Sequence, residues 1–340
     1  MTEPRLLGPS DVRALCAQLD LHPAKALGQN FVVDPGVVAR IVRLAGDAGT
    51  HVLEVGPGLG SLTLALLAAG HRVTAIEIDP RLANQLPLTV AERAPDLVGR
   101  LSVVTADAMA VLQWPPSSLP TGADCPGHQA ASGRQAAGGG GASSNMAGGV
   151  APAVPGSQVG ENSDGFLAAT DVAQVQPTAL VANLPYNVAV PVLLTYLERF
   201  AFLRQALVMV QAEVGARLAA PPGSRTYGAP SAKLAWWAKA RLVGTVARNA
   251  FYPVPRVDSA LVLAERRPPP ASDVSYGAVC TVIEAAFAQR RKTLRAALAG
   301  LADGAPQAEL ALRAAGIDPS LRGECLGIDD FAQLARQFHG

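Results

Sequence analysis

Between residues 51 and 105 strand and helix signals alternate, and this constrains the fold more than any other feature. HVLEV is a short apolar run ending in glycines. SLTLALLAAG has the spacing of an amphipathic helix closing on Gly70, HRVTAIEI is a second strand, DPRLANQLPLTVAERA a second helix and LSVVTAD a third strand. Strands joined through helices lie parallel in one sheet with helices on both faces. Ligands of such sheets bind beyond the carboxyl ends of the strands. The sheet is expected to resume at TALVANLPY and QALVMVQAEV. Two last strands are expected within WWAKARLVGTVARN and VDSALVLAE, joined by AFYPVPR. Ahead of the sheet, SDVRALCAQLDL and DPGVVARIVRLAG have helical spacing, with KALGQNFVV between them as a loop. After RRPPP, the segments GAVCTVIEAAFAQRRKTLRAALAGL, QAELALRAAG and DDFAQLARQF read as helices. The expected class is α/β, a sheet domain over residues 1–267 followed by a small all-α domain over 268–340.

Composition narrows the function classes less than charge distribution does. The net charge is +1, yet residues 231–300 hold 11 Lys or Arg against 4 Asp or Glu, a basic region in a neutral chain. The four cysteines form no CxxC or Cys/His spacing, so neither a disulfide framework nor a metal site is expected. MTEPRLLGPSDVRALCAQ lacks a basic-then-apolar signal pattern, and no run of about 18 uncharged apolar residues marks a membrane span. A soluble cytoplasmic protein is expected. Residues from about 115 to 176 include GRQAAGGGGASSNMAGG and GSQVGENSDG, too poor in apolar bulk to offset their ordering entropy. This stretch is expected to be a disordered insertion without catalytic content, and its removal over residues 122–172 to preserve activity.

Three strand ends carry ligand-type groups. In VLEVGPGLGSL, Gly56, Gly58 and Gly60 separate a strand from a helix, where glycine permits positive φ and close backbone approach. A tight strand–helix turn needs glycine too, and the spacing differs from the dinucleotide G-x-G-x-x-G. Glu77 ends the second strand, where a carboxylate can accept both ribose hydroxyls of a nucleoside, or can be a solvated strand-end acid. Asp107 ends the third, placed either to accept an adenine amine or to cap a helix. Together they point to a nucleoside-containing cofactor lying across the rim.

In order, KALGQNFVVDP, LEVGPGLGSLT, AIEIDP, TADAM, ANLPYN, FYPVPRVDSALV and FAQRRKTLRAAL resemble the KsgA family of small-subunit rRNA adenine dimethyltransferases. The resemblance spans nearly the whole chain outside the low-complexity insertion. It implies a Rossmann-like methyltransferase sheet and S-adenosylmethionine as methyl donor. The product it implies is N6,N6-dimethyladenosine at two adjacent positions near the 3′ end of the rRNA. It also implies an immature 30S particle as partner and a monomeric enzyme. Carried over by position, it assigns donor contacts to Asn30, Val32, Gly56, Glu77, Asp107 and Asn183. Val32 stands where the family usually has Leu, and Val188-Ala189-Val190-Pro191 replaces a usual Ser-Thr-Pro after the Asn-Leu-Pro-Tyr motif.

That motif has a chemical rationale. The lone pair of an adenine amine is conjugated into the ring, so two acceptors aimed at its N–H bonds would localise it toward a methyl group. The Asn183 side-chain oxygen is expected to be one and the Leu184 backbone carbonyl the other. Pro185 biases Leu184 toward extended backbone and has no N–H. Tyr186 is expected to offer a face on which the base stacks; for Phe251 the resemblance implies a ring that completes the sandwich, the alternative being simple core packing. A plain strand-to-turn exit remains the alternative for the motif. Arg290, Arg291, Lys292 and Arg295 are expected to contact RNA phosphates, or else to form a solvated helix face. Rivals to the assignment are the macrolide-resistance class acting on large-subunit rRNA, a nicotinamide-dependent oxidoreductase and a non-catalytic assembly factor.

Overall fold

The computed structural model describes residues 4–21, 30–46, 51–115, 175–271 and 273–339. Nearly all of the low-complexity insertion, residues 116–174, lies outside them, and so does the start of the KALGQNFVV segment. The chain begins with α1 (Pro9–Gln18), a two-residue strand β1 (Phe31–Val32) and α2 (Pro35–Ala45). Alternation follows through β2 (His51–Val55), α3 (Ser61–Ala68), β3 (Arg72–Glu77), α4 (Pro80–Arg93) and β4 (Leu101–Thr105). It continues with β5 (Ala179–Asn183), α5 (Ala189–Arg199) and β6 (Gln205–Gln211). Next come α6 (Ala212–Leu218), α7 (Ala229–Trp237), β7 (Ala238–Val246), β8 (Phe251–Tyr252) and β9 (Ser259–Arg266). The end is helical: α8 (Tyr276–Ala288), α9 (Leu294–Ala297), α10 (Ala305–Ala314) and α11 (Ile328–His339).

Seven strands form one sheet in the order β4-β3-β2-β5-β6-β9-β7. The pairs from β4 to β6 are parallel, and β9 runs antiparallel between β6 and β7. The chain builds outward from β2 to β4, then returns to the other side of β2 with β5. That reversal is the switch point at which sheets of this type hold ligands. Side-chain alternation along β2 and β5 feeds two cores. Val52 and Val181 join Val38, Ile41 and Leu86 on one face, and Leu53, Val55 and Leu180 join Val192, Leu193 and Tyr196 on the other. Each buried aliphatic side chain contributes about 2 kcal/mol. A third cluster gathers Val279, Ile283, Leu312 and Phe331 of the C-terminal helices with Ala232 and Trp236 of α7.

Several expectations need correction. α3 is not amphipathic: Ser61 through Leu67 are all buried, because the helix lies between the sheet and α2. KALGQNFVV is not wholly loop, since β1 pairs antiparallel with β8, Phe31 opposite Tyr252 and Val32 opposite Phe251. Two-residue strands carry too little periodicity to be recognised from sequence. The basic run is not on one continuous helix face, since only Arg295 falls on a helix. α8 stops at Ala288, residues 289–293 form a turn, and helix resumes only at Leu294.

Candidate active site

The glycine loop after β2 is dictated by both conformation and space. Gly56, Gly58 and Gly60 have φ of +68°, +57° and +97°. A Cβ at Gly58 would lie 2.8 Å from a Phe31 ring carbon, and one at Gly60 2.6 Å from a Leu86 methyl. Any side chain would therefore push the loop off the strand ends. The loop is held to the end of β3: Gly58 N–H donates to Glu77 Oε2 at 3.1 Å, and Asp79 N–H donates to Oε1 at 3.0 Å. Burial pushes the Glu77 carboxyl up from its ordinary value, and the Asp79 and Gly58 amides pull it back down. Each oxygen accepts one amide and retains a lone pair for a ligand hydroxyl.

Glu54, in the middle of HVLEV, is a site residue the sequence did not announce. It is 1% exposed and accepts the Thr63 hydroxyl at 2.7 Å. Burial raises its carboxyl to about 8, against the pull of Thr63 and with a push from Glu77. A signal was present: Glu54 falls on the same side of β2 as the buried Val52, so period-2 alternation places the acid inside.

Asn183 closes β5, and its Nδ2 donates to the Asn30 carbonyl at 2.9 Å. The bond fixes the amide so that Oδ1 is left as acceptor. Leu184 buries its side chain and donates its N–H to the Met209 carbonyl at 3.2 Å, which leaves its own carbonyl as its remaining polar group. Pro185 sits over the glycine loop, its Cδ 3.8 Å from where a Gly56 Cβ would be. Tyr186 is half-buried rather than exposed, and its hydroxyl is 2.8 Å from Ser259 Oγ. Phe251 is 2% exposed within the core, opposite Val32. The core alternative therefore describes it better than a base-stacking surface does. Asp107 caps the short turn Ala108–Ala110, with Oδ1 accepting Met109 N–H at 2.8 Å.

These elements enclose a cavity of about 280 Å³ at the switch point. Asn30, Val32, Gly56, Glu77, Asp107 and Asn183 all line it, as does Pro185, whereas Leu184, Tyr186 and Phe251 do not. Val32 is buried, and its carbonyl is occupied by the Ser61 hydroxyl at 2.7 Å. The lining holds the carboxyls of Glu77, Asp79 and Asp107, with the buried Glu54 carboxyl mostly protonated at neutral pH, and no Lys, Arg or His among the described residues. Such a lining suits a nucleoside with a cationic tail and gives a pyrophosphate no cationic partner. The exposed Ile78 beside Glu77 adds an apolar surface. Among the described residues no cluster of His, Cys, Asp and Glu could hold a metal, and no helix is long and apolar enough to cross a membrane.

The basic run divides in two. Arg290 Nε donates to Glu324 Oε2 at 2.9 Å and its Nη2 to the Arg225 carbonyl at 2.7 Å, while Arg295 Nε is 2.9 Å from Glu309 Oε2. Arg291 and Lys292 are exposed on the turn and have no ion-pair partner among the described residues.

Comparison with known proteins gives a consistent pattern. A family model described as ribosomal RNA adenine dimethylase matches residues 22–338. The chain is 51% identical over 332 residues to ribosomal RNA small subunit methyltransferase A of Thermobifida fusca, covering 97% of this chain and 96% of that one. It is 50% identical over 333 residues to the protein of the same name from Kineococcus radiotolerans, covering 97% and 91%. Among solved structures, a dimethyladenosine transferase from Plasmodium falciparum aligns with a TM-score of 0.59 at 18% identity, covering 88% of this chain and 94% of that one. The 23S rRNA methyltransferase ErmE aligns with a TM-score of 0.54 at 23% identity, covering 92% and 100%. The two structures bear on the fold alone, a Rossmann-like methyltransferase sheet.

Proposed function

The chain belongs to the ribosomal RNA adenine dimethylase family, and from that premise we propose that Asn183 and Leu184 hold the reacting amine of an rRNA adenosine at the rim of the sheet. The protein is an S-adenosylmethionine-dependent rRNA adenine dimethyltransferase of the small-subunit type. The large-subunit enzyme shares its fold only, at 23% identity.

The cavity fits the methyl donor by its chemistry. Glu77 has lone pairs left for a ribose diol, Ile78 and the neighbouring apolar lining suit a purine, and Asp107 lies where an exocyclic amine can be met. The surrounding carboxyls favour a cationic tail, and Gly56 and Gly58 leave the backbone open to close approach. When bound, the donor supplies an electrophilic methyl group on a sulfonium.

The rest of the work falls to side chains already in place. Asn30 holds the Asn183 amide so that Oδ1 accepts one amine hydrogen, and the Leu184 carbonyl accepts the other. These fixed dipoles turn the nitrogen lone pair outward and are set before substrate arrives. Tyr186 receives the face of the base once it leaves its stack, a contact worth about 1–3 kcal/mol. The amine becomes acidic as it is alkylated, so no strong base is required. Arg291 and Lys292 contact RNA phosphates from the helical part of the chain, residues 268–340. Two adjacent adenosines near the 3′ end, presented by an immature 30S particle to a monomeric cytoplasmic enzyme, complete the proposal on the strength of the family resemblance.

The observation that carries this reading is the Asn183–Asn30 hydrogen bond, which commits the amide nitrogen and leaves the oxygen for substrate. The test is incubation with labelled methyl donor and unmethylated small subunits, followed by nucleoside mapping. Label in N6,N6-dimethyladenosine of the small-subunit RNA is expected, and label confined to other nucleosides would refute the proposal.

A further inference from the structure

Ser259 is placed at the active rim by topology. β9 runs antiparallel to β6, so its first residue lies opposite Gln211 at the carboxyl end of that strand, with Val246 of β7 on the other side. Along β9, Ser259 shares a sheet face with Leu261 and Leu263, both core residues. An apolar side chain is the ordinary occupant of such a position, yet Ser259 is polar and 0% exposed. A buried hydroxyl needs a partner, and here it is the Tyr186 hydroxyl at 2.8 Å.

The bond reaches from β9 across β6 to the loop that follows β5. Tyr186 is thereby held at both ends. Its backbone follows Leu184, which is tied to Met209, and Pro185, whose φ is fixed by its ring; its hydroxyl is tied to Ser259. Neither Tyr186 nor Ser259 lines the donor cavity. The neighbouring Asp258 has a different task, accepting Arg248 N–H at 3.0 Å through its side chain and Ala212 N–H at 2.9 Å through its carbonyl. We propose that Ser259 is a positioning residue for methyl transfer, its hydroxyl fixing the Tyr186 ring in the orientation that receives the target adenine. This rests on Tyr186 being the ring on which the base stacks.

The experiment measures kcat on small subunits, affinity for S-adenosylmethionine and melting temperature in the full-length chain. The variants are Ser259→Ala, Tyr186→Phe, both together, Ser259→Thr and Tyr186→Ala. Ser259→Ala and Tyr186→Phe are each expected to lower kcat by about tenfold through misorientation of the base, with donor affinity within about twofold of wild type. The double variant is expected to be no worse than either single one, because both remove the same bond. Ser259→Thr keeps the hydroxyl and is expected to recover most of the rate. Wild-type kcat in either single variant, or losses that multiply in the double variant, would overturn the proposal. If Ser259→Ala does not fold, Tyr186→Phe decides alone, since it leaves β9 untouched. Failure of the underlying assignment has its own signature, an unimpaired Tyr186→Ala. Failure of the Ser259 role alone leaves Tyr186→Ala crippled and Ser259→Ala active.

Discussion

At the carboxyl rim of the sheet, Asn183 gives its amide nitrogen to Asn30 and keeps its oxygen. Glu77 accepts two backbone amides and keeps lone pairs for a ligand. At the turn between α8 and α9, Arg290 and Arg295 direct their guanidinium groups to Glu324 and Glu309 of the same chain. Both regions are dense in motif residues. At the rim internal bonds orient a group and leave a function facing outward, whereas at the turn they absorb the charge that the sequence advertised. A polar residue is thus available to a ligand according to what its partners leave over, which the residue type alone does not reveal.

The strongest way to break this comparison is Asn183→Ala. Removing one fixed acceptor is expected to lower turnover by about 100-fold or more, while substrate RNA affinity, measured by filter binding, stays near wild type. Glu77→Ala comes next. It removes a charged acceptor and frees the glycine loop, so affinity for S-adenosylmethionine is expected to fall by about 30- to 100-fold in calorimetric titration.

The turn offers a smaller and split effect. Neutralising Arg291 and Lys292 together is expected to reduce the slope of log affinity for RNA against log salt by about 1 to 2. Neutralising Arg290 and Arg295 is expected to leave that slope nearly unchanged and to lower the melting temperature by about 2 °C or less, as exposed ion pairs do. Equal salt slopes in the two pairs would erase the distinction.

The smallest effect sharpens the rim. Glu54 ionises near 8 in the folded chain against an ordinary 4.5, so between those values the folded state holds a proton that the unfolded state has released. Stability therefore falls as pH rises through that window and levels off above it. Glu54→Gln is expected to flatten the decline, seen as melting temperature against pH, with turnover at neutral pH retained.

Much of the rim was legible in the sequence because its residues occupy strand ends, and strand ends follow from apolar runs broken by glycine, acid or proline. Gly56, Glu77, Asp107 and Asn183 meet at one cavity for that reason, whereas Asn30 and Val32, in a segment that reads as a loop, were assigned by the family resemblance alone. What stayed hidden depended on tertiary pairing. The β1–β8 pair sets Phe251 in the core, and no local pattern in AFYPVPR records it. Ser259 needs β9 to be antiparallel before it reaches Tyr186. Glu54 sits in a strand buried along its whole length, and the run through Gln289 keeps helical spacing although the helix stops at Ala288.

The most direct test of the central claim is a crystal structure of the chain with a non-reactive methyl-donor analogue and an adenosine-containing RNA. The adenine N6 is expected at about 3 Å from both Asn183 Oδ1 and the Leu184 carbonyl oxygen, with the base against Tyr186. An N6 that contacts neither carbonyl while the donor occupies the glycine-loop cavity would contradict the account.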